Sequence, residues 1–307
     1  MNAIEAHNLT KRYGDFKAVD EVSFEVPQGQ LLGVLGPNGA GKTTTLEMLE
    51  GFLAPSAGSV RVLGTDPRRG GRAFRARVGL VLQSTSLDPE LTVRESLALF
   101  GQLYPTPYRV GEALAIVDLA SDAHTKVGAL SGGQRRRVDL AIGVIGRPDV
   151  LFLDEPTTGL DPEARRHTWA AVAHLVEGGT TVVLTTHYID EADQLADRII
   201  VLSGGRIVAD TTPNGLRSTS GPTTIHYVLP AGVRAAGLPP SLASQFDQRS
   251  GALIIRTDDI TACLRDLVAW ADQAHLDLDG LEVTRPSLED AYLATIGEPL
   301  TPEANLP

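Results

Sequence analysis

Gly36-Pro37-Asn38-Gly39-Ala40-Gly41-Lys42-Thr43 lies between a five-residue apolar stretch, LLGVL at 31–35, and a segment that reads as a helix starting near Thr43. Strand, glycine-rich turn and helix start follow in the order that gives the pattern G-x-x-x-x-G-K-[ST] its physical meaning. Glycines let backbone N–H groups curl around phosphate oxygens, and the helix N-terminus adds a field that favours anions. The candidate phosphate-binding residues are therefore Gly36, Pro37, Asn38, Gly39, Ala40, Gly41, Lys42, Thr43 and Thr44. Lys42 is placed to neutralise the β and γ phosphates of a nucleoside triphosphate, and the Thr43 hydroxyl to ligate Mg2+.

Working outward, three more continuous apolar runs, VGLVL at 78–82, VLFL at 150–153 and TVVLTT at 181–186, alternate with helical segments. That is the signature of parallel strands buried on both faces, so the expected core is α/β. Ahead of it, IEAHNL at 4–9 and AVDEVSFEV at 18–26 read as short alternating strands of an antiparallel β subdomain, closed by a turn at Pro27, Gln28 and Gly29. Residues 91–120 read as a small helical subdomain, with Thr92 and Glu95 forming a capping box at the start of the run 93–103. IIVLSGGRIVAD at 199–210 reads as a hairpin around Ser203, Gly204 and Gly205. It closes a first domain expected over 1–215. Residues 216–307 are expected to form a smaller α+β domain: TTIHYVLP and ALIIRT as strands, ITACLRDLVAWADQA as an amphipathic helix, and a strand followed by a helix from 280 to 297. No catalytic constellation stands out there.

VLFLDE at 150–155 is an apolar strand ending in two carboxylates, at the sheet edge where open α/β folds place ligands. Asp154 is suited to hold Mg2+ through its water shell. Glu155 is suited to polarise an attacking water, the role that phosphoryl transfer to water requires.

Twenty residues before Asp154, Leu130-Ser131-Gly132-Gly133-Gln134 resembles the signature motif of ATP-binding cassette (ABC) proteins, and the resemblance extends from about residue 4 to 215. It implies a P-loop ABC cassette with antiparallel β and helical subdomains, carrying ATP and Mg2+. It further implies that Tyr13 stacks on adenine, that Gln83 is the Q-loop glutamine with a place at the metal, that Gly159-Leu160-Asp161 is the D-loop and that His187 is the switch histidine. Ser131 also reads as an N-cap, with Gly132 and Gly133 exposing amides at the positive end of a helix, a second anion site. In the family the two phosphate-seeking helix ends serve different active sites. Each ATP lies between the phosphate loop of one subunit and the signature of the other, so a head-to-tail homodimer is implied. Arg135, Arg136 and Arg137 read as a solvated helix face, and Arg68, Arg69, Arg72, Arg75 and Arg77 before the Gln83 strand as a solvated face, with a membrane-proximal one as the alternative. Residues 286–293, PSLEDAYL, resemble the ending of ATP-binding subunits of prokaryotic drug exporters of the daunorubicin-resistance kind. Read by itself the same stretch is a helix capped by Ser287 and Asp290.

Composition narrows the alternatives. With 307 residues, 42% hydrophobic and 21% charged, the chain is large enough for about two domains and is neither a disordered tail nor a disulfide scaffold. Its one cysteine, Cys263, cannot pair internally, which points to a reducing compartment. A balance of 27 basic against 38 acidic residues, net −11, argues against a general nucleic-acid binder, so no nucleic acid is expected as a partner. No apolar run approaches the ~18 residues of a membrane span, and the first residues carry Glu5 and no apolar signal core. The expectation is a soluble ATPase held at the cytoplasmic face of the cell membrane by a separate transmembrane permease, most like an exporter of a drug, antibiotic or lipid-like compound. Two rivals are an ABC protein of DNA repair or translation, and an importer ATPase with a regulatory C-terminal domain. The first fits poorly, because only 47 residues separate Gln83 from Ser131, too few for a long coiled-coil insertion.

Overall fold

The computed structural model describes residues 1–82, 87–219, 221–229, 246–247 and 252–297. Contacts within the chain divide it into two units, Met1–Pro213 and Asn214–Pro307.

The first unit opens with β1 (Asn2–Tyr13) and β2 (Phe16–Pro27), an antiparallel pair longer than the alternating stretches predict. Register shifts interrupt the ladder, and Asn8 and Glu21 adopt positive φ values of 47° and 56° there, so pairing continues past positions where strict alternation fails. Next come β3 (Leu31–Leu35), α1 (Lys42–Glu50) and β4 (Ala57–Val62), the last pairing with β1 to give the sheet order β2-β1-β4. The chain continues through α2 (Arg72–Arg75), β5 (Val78–Val81), α3 (Val93–Gly101), α4 (Val110–Ile116) and α5 (Gly132–Val144). It ends through β6 (Val150–Asp154), α6 (Pro162–Glu177), β7 (Thr181–Thr186), α7 (Ile189–Leu195), β8 (Arg198–Ser203) and β9 (Arg206–Thr211). The capping box read in the sequence opens α3, with the Thr92 amide donating to Glu95 Oε2 at 2.8 Å and the Glu95 amide donating to Thr92 Oγ1 at 3.2 Å.

The large sheet has the order β5-β6-β7-β3-β8-β9, parallel through β8, with β9 antiparallel at the edge. Every residue of β3, β6 and β7 is buried, which is why these strands read as unbroken apolar runs. β9 alternates exposed and half-buried residues instead, as an edge strand does. Parallel strands end at one edge, so this order sets the chain that follows β3 beside the ends of β7 and β6. At the tip of the β8–β9 hairpin the Gly205 amide donates to the Ala40 carbonyl at 3.2 Å, and the Asp20 amide donates to the Gly205 carbonyl at 2.8 Å. Lys17 and Arg206 both bond the Asp20 carboxylate, at 2.7 and 2.6 Å.

The second unit begins within α8 (Pro213–Arg217) and contains β10 (Thr223–Val228), β11 (Phe246–Asp247), β12 (Ala252–Thr257), α9 (Ile260–Gln273), β13 (Glu282–Thr284) and α10 (Leu288–Ile296). Its sheet is antiparallel in the order β11-β12-β10-β13. Ile225 and Tyr227 of β10 and Leu253 and Ile255 of β12 pack with Cys263, Leu267 and Trp270 of α9, whose spacing puts them on one helix face. Ser287 and Asp290 form the predicted capping box of α10.

Candidate nucleotide site

The phosphate loop is shaped by its glycines. Gly41 caps α1 with φ at +100°, and a Cβ there would run into the Ala18 carbonyl, so no other residue fits without displacing β2. Lys42 opens α1 and is buried; its Nζ donates to the Gly36 and Pro37 carbonyls at 2.7 and 3.2 Å. The ammonium thus lies folded back over the loop. Burial pulls its pKa below the usual lysine range, opposed by the nearby Glu155 and Asp154 carboxylates. Thr43 and Thr44 follow in the first turn, Thr43 exposed and Thr44 half-buried, while Asn38 and Gly39 lie open to solvent.

Asp154 and Glu155 stand at the end of β6. Asp154 is buried, and its Oδ1 accepts a short hydrogen bond from Thr185 Oγ1. Glu155 has a left-handed backbone, φ +45°, and its amide donates to the Thr185 carbonyl at 3.0 Å. That reversal turns its carboxylate out of the sheet. There Oε2 accepts from Thr158 Oγ1 at 3.2 Å, and Oε1 lies 3.3 Å from His187 Nδ1, just past the end of β7. The structure therefore gathers Lys42, Asp154, Glu155 and His187 at one sheet edge. Thr43 and Asp154 share a cavity of about 300 Å³ with Leu46, Glu47, Glu50, Phe52 and Leu82. Hard oxygen donors are what Mg2+ takes, and two protein oxygens leave its remaining positions to water and phosphate, so the set fits that ion. Among the described residues no cluster of three or more His, Cys, Asp or Glu side chains forms an all-protein metal cage. Burial, reinforced by Asp154 and Glu47, raises the Glu50 carboxyl to about 8.

The signature residues occupy the other predicted anion site. Ser131 caps α5, its Oγ accepting from the Gln134 amide at 3.2 Å while Gln134 Oε1 accepts from the Ser131 amide at 2.9 Å. Gly132 and Gly133 form the first turn. A Cβ on Gly133 would sit 2.7 Å from that of Ala164, so this glycine permits α5 to pack against the start of α6. Asp161 caps α6, accepting from the Glu163 and Ala164 amides at 3.0 and 2.9 Å, and the bond from Ala164 leads in holding its carboxyl below the usual range. Tyr13, at the end of β1, is 51% exposed with the Lys11 ammonium 5.3 Å from its ring centroid. Gln83 lies outside the described residues.

One sequence expectation is corrected. Arg135 is exposed, but Arg136 is 9% exposed and does not belong to a solvated face. Its guanidinium donates to the Pro156 carbonyl at 2.8 Å, the Asp154 carbonyl at 3.1 Å and the Glu155 carbonyl at 3.3 Å, and to the Leu82 carbonyl in a short bond. Arg137 is half-buried and donates to the Asp118 carbonyl at 3.1 Å. Arg68, Arg69, Arg72, Arg75 and Arg77 are exposed, as read. The sequence reading also missed Glu191 on α7, fully buried, whose Oε1 accepts from Thr157 Oγ1 at 2.9 Å and Trp169 Nε1 at 3.0 Å. A carboxylate four residues after His187 on a short helix carries no spacing signal of its own.

Comparison with known proteins follows the same line. Residues 19–158 match a family described as ABC transporter, and residues 223–287 match one described as the C-terminal domain of ABC transporter domain-containing protein-like sequences. The chain is 42% identical over 304 residues to the daunorubicin resistance ATP-binding protein DrrA3 of Streptomyces coeruleorubidus, covering 96% of each. It is 46% identical over 219 residues to the Nod factor export ATP-binding protein I of Paraburkholderia xenovorans (strain LB400), covering 70% of this chain and 72% of that protein. Among solved structures, it is similar to a nucleotide-free ATP-binding cassette from an ABC transporter, with TM-score 0.61 and 27% identity over 69% of this chain and 92% of that one. A dimeric post-hydrolysis cassette bound to ADP and phosphate matches with TM-score 0.61 and 28% identity, over 68% of this chain and 98% of that one.

Proposed function

The chain belongs to the ABC transporter family as an ATP-binding, ATP-hydrolysing subunit, and from that premise we propose that it energises export of a drug, antibiotic or lipid-like compound through a separate transmembrane permease. No helix among the described residues is long and apolar enough to cross a membrane, and in the export reading the membrane path belongs to a separate partner. We place the chain at the cytoplasmic face of the membrane, where that partner would hold it. The convergence of Lys42, Asp154, Glu155 and His187 at one sheet edge carries the reading.

In this reading the backbone N–H groups of residues 38–41 and Lys42 hold the triphosphate, Lys42 giving up its loop carbonyls for phosphate oxygens. Thr43 and Asp154, with Gln83 assigned from the family pattern, would hold Mg2+, which when bound would supply neutralisation of the charge on the transferred phosphoryl group. Glu155 accepts a hydrogen bond from the attacking water, and His187, 3.3 Å away, keeps that carboxylate oriented. Ser131, Gly132, Gly133 and Gln134 of a second, head-to-tail copy close over the same nucleotide, with that copy's Asp161 region beside them and Tyr13 against the adenine. Hydrolysis then reopens the dimer. Residues 216–307 serve assembly or regulation.

Drug resistance and Nod factor export in the relatives' names support outward transport. The test is co-expression with a candidate polytopic membrane protein, followed by ATP-dependent accumulation of a fluorescent anthracycline in inside-out vesicles. Accumulation that is lost in Lys42→Ala supports export. Movement in the opposite direction, or ATPase activity indifferent to every membrane partner, would refute it.

A further inference from the structure

We propose that Arg136 is a positioning residue that fastens the signature helix to the strand end carrying the hydrolytic carboxylate, and so couples the two nucleotide sites of the dimer. The inference rests on the head-to-tail reading above.

The left-handed turn at Glu155 reverses the backbone just past β6 and leaves three successive carbonyls, those of Asp154, Glu155 and Pro156, within reach of one guanidinium. The same guanidinium takes the Leu82 carbonyl, one residue before Gln83. Its sequence separations from these acceptors run from 18 to 54 residues, so the contact is tertiary and owes nothing to helix geometry. Burying a cation this deeply is expensive, and burial does lower the Arg136 pKa against the pull of Asp139, Asp154 and Glu191. A planar fork of donors matched to fixed carbonyls offsets that expense, and a lysine, with a compact ammonium, cannot span the same set. From the other side Glu191 bonds Thr157, so the segment 154–157 is gripped by α5 and α7 at once.

Arg136 lies five residues after Ser131 on the same rigid helix, little more than one turn from the amides that would meet the second copy's triphosphate. A shift of α5 on engaging that triphosphate must move the acceptors of Arg136 or break its bonds. Those acceptors set the backbone of Glu155, which acts on the other nucleotide. One site's occupancy is thereby felt at the other site's water-orienting group.

The test compares wild type with Arg136→Lys and Arg136→Gln in the full chain, scoring only folded protein by circular dichroism and Tm. MgATP affinity by calorimetry should stay within about threefold, since Lys42 and its loop are untouched, while kcat falls at least tenfold and the Hill coefficient for ATP drops to one. Affinity falling in step with kcat, a wild-type kcat, an unchanged Hill coefficient, or failure of both variants to fold would overturn the proposal, the last by assigning Arg136 to stability alone. ATP-driven dimerisation of Glu155→Gln, read by size-exclusion chromatography, reports separately on the head-to-tail reading. A dimer there with wild-type turnover in Arg136→Lys sinks only the Arg136 role. A persistent monomer sinks the head-to-tail reading, and the coupling with it.

Discussion

Replacing Glu50 by glutamine should stabilise the nucleotide-free protein, and by more at pH 8 than at pH 5. Glu50 closes α1 and lines the cavity it shares with Asp154; burial, then Asp154, then Glu47 move its carboxyl from 4.5 to about 8. Between those values the folded chain keeps a proton that the unfolded chain has released. The favourable contribution is complete below pH 4.5 and is lost as pH rises through 8. The whole separation corresponds to a ceiling of about 5 kcal/mol. Water entering the cavity screens part of it, so the expected gain from Glu50→Gln is about 1–3 kcal/mol at pH 8 and close to nothing at pH 5. Urea unfolding of both proteins in EDTA at the two pH values, followed by far-UV circular dichroism, measures this. An equal effect at both pH values, or no gain at pH 8, would mean that the Glu50 carboxyl is solvated and that the cavity exerts no field on it.

Lys42→Ala should weaken MgATP binding at least tenfold by calorimetry, because it removes the buried ammonium in the phosphate loop; unchanged affinity would remove the phosphate-loop assignment. Glu155→Gln keeps the backbone bonds to Thr185 but loses the carboxylate that orients water, so ATP should bind and persist in a dimer with turnover reduced about a hundredfold or more. A variant that hydrolyses normally moves the catalytic role elsewhere. The chain cut after Arg217 should fold and bind ATP, since every nucleotide-site residue lies upstream; folded but ATP-blind protein would give the C-terminal unit a share in building the site.

The phosphate loop and the ends of β6 and β7 were legible because each is a local device, a few residues whose spacing alone declares a strand end or a helix start. Lys42, Asp154 and Glu155 could be placed at one edge from apolar runs and the rule that parallel strands finish together, whereas His187 came only from the family resemblance. Arg136 was misread for the opposite reason. Three arginines on a helix resemble a solvated face, and nothing near them in the chain reveals carbonyls 18 to 54 residues away. Glu50 and Glu191 escaped likewise, since a carboxylate on an amphipathic helix looks the same whether water or a closed cavity faces it. The lengths of β1 and β2 were underestimated because bulges break the alternation by which strands are recognised.

The bond between the Gly205 amide and the Ala40 carbonyl has a practical meaning for anyone who wishes to label this protein. The tip of the β8–β9 hairpin resembles a free surface turn, the usual choice for inserting an epitope or opening new termini. Yet Gly205 has φ +79° and a Cβ there would lie 2.9 Å from the Ala18 carbonyl, so an insertion at the tip would pull on the phosphate loop and on β2 together. The turn at Gly178 and Gly179, between α6 and β7, is exposed on both residues and sits at the opposite end of β7 from His187. A tag placed there should leave nucleotide affinity as it is in the untagged chain, whereas the same tag at Gly204 should abolish it.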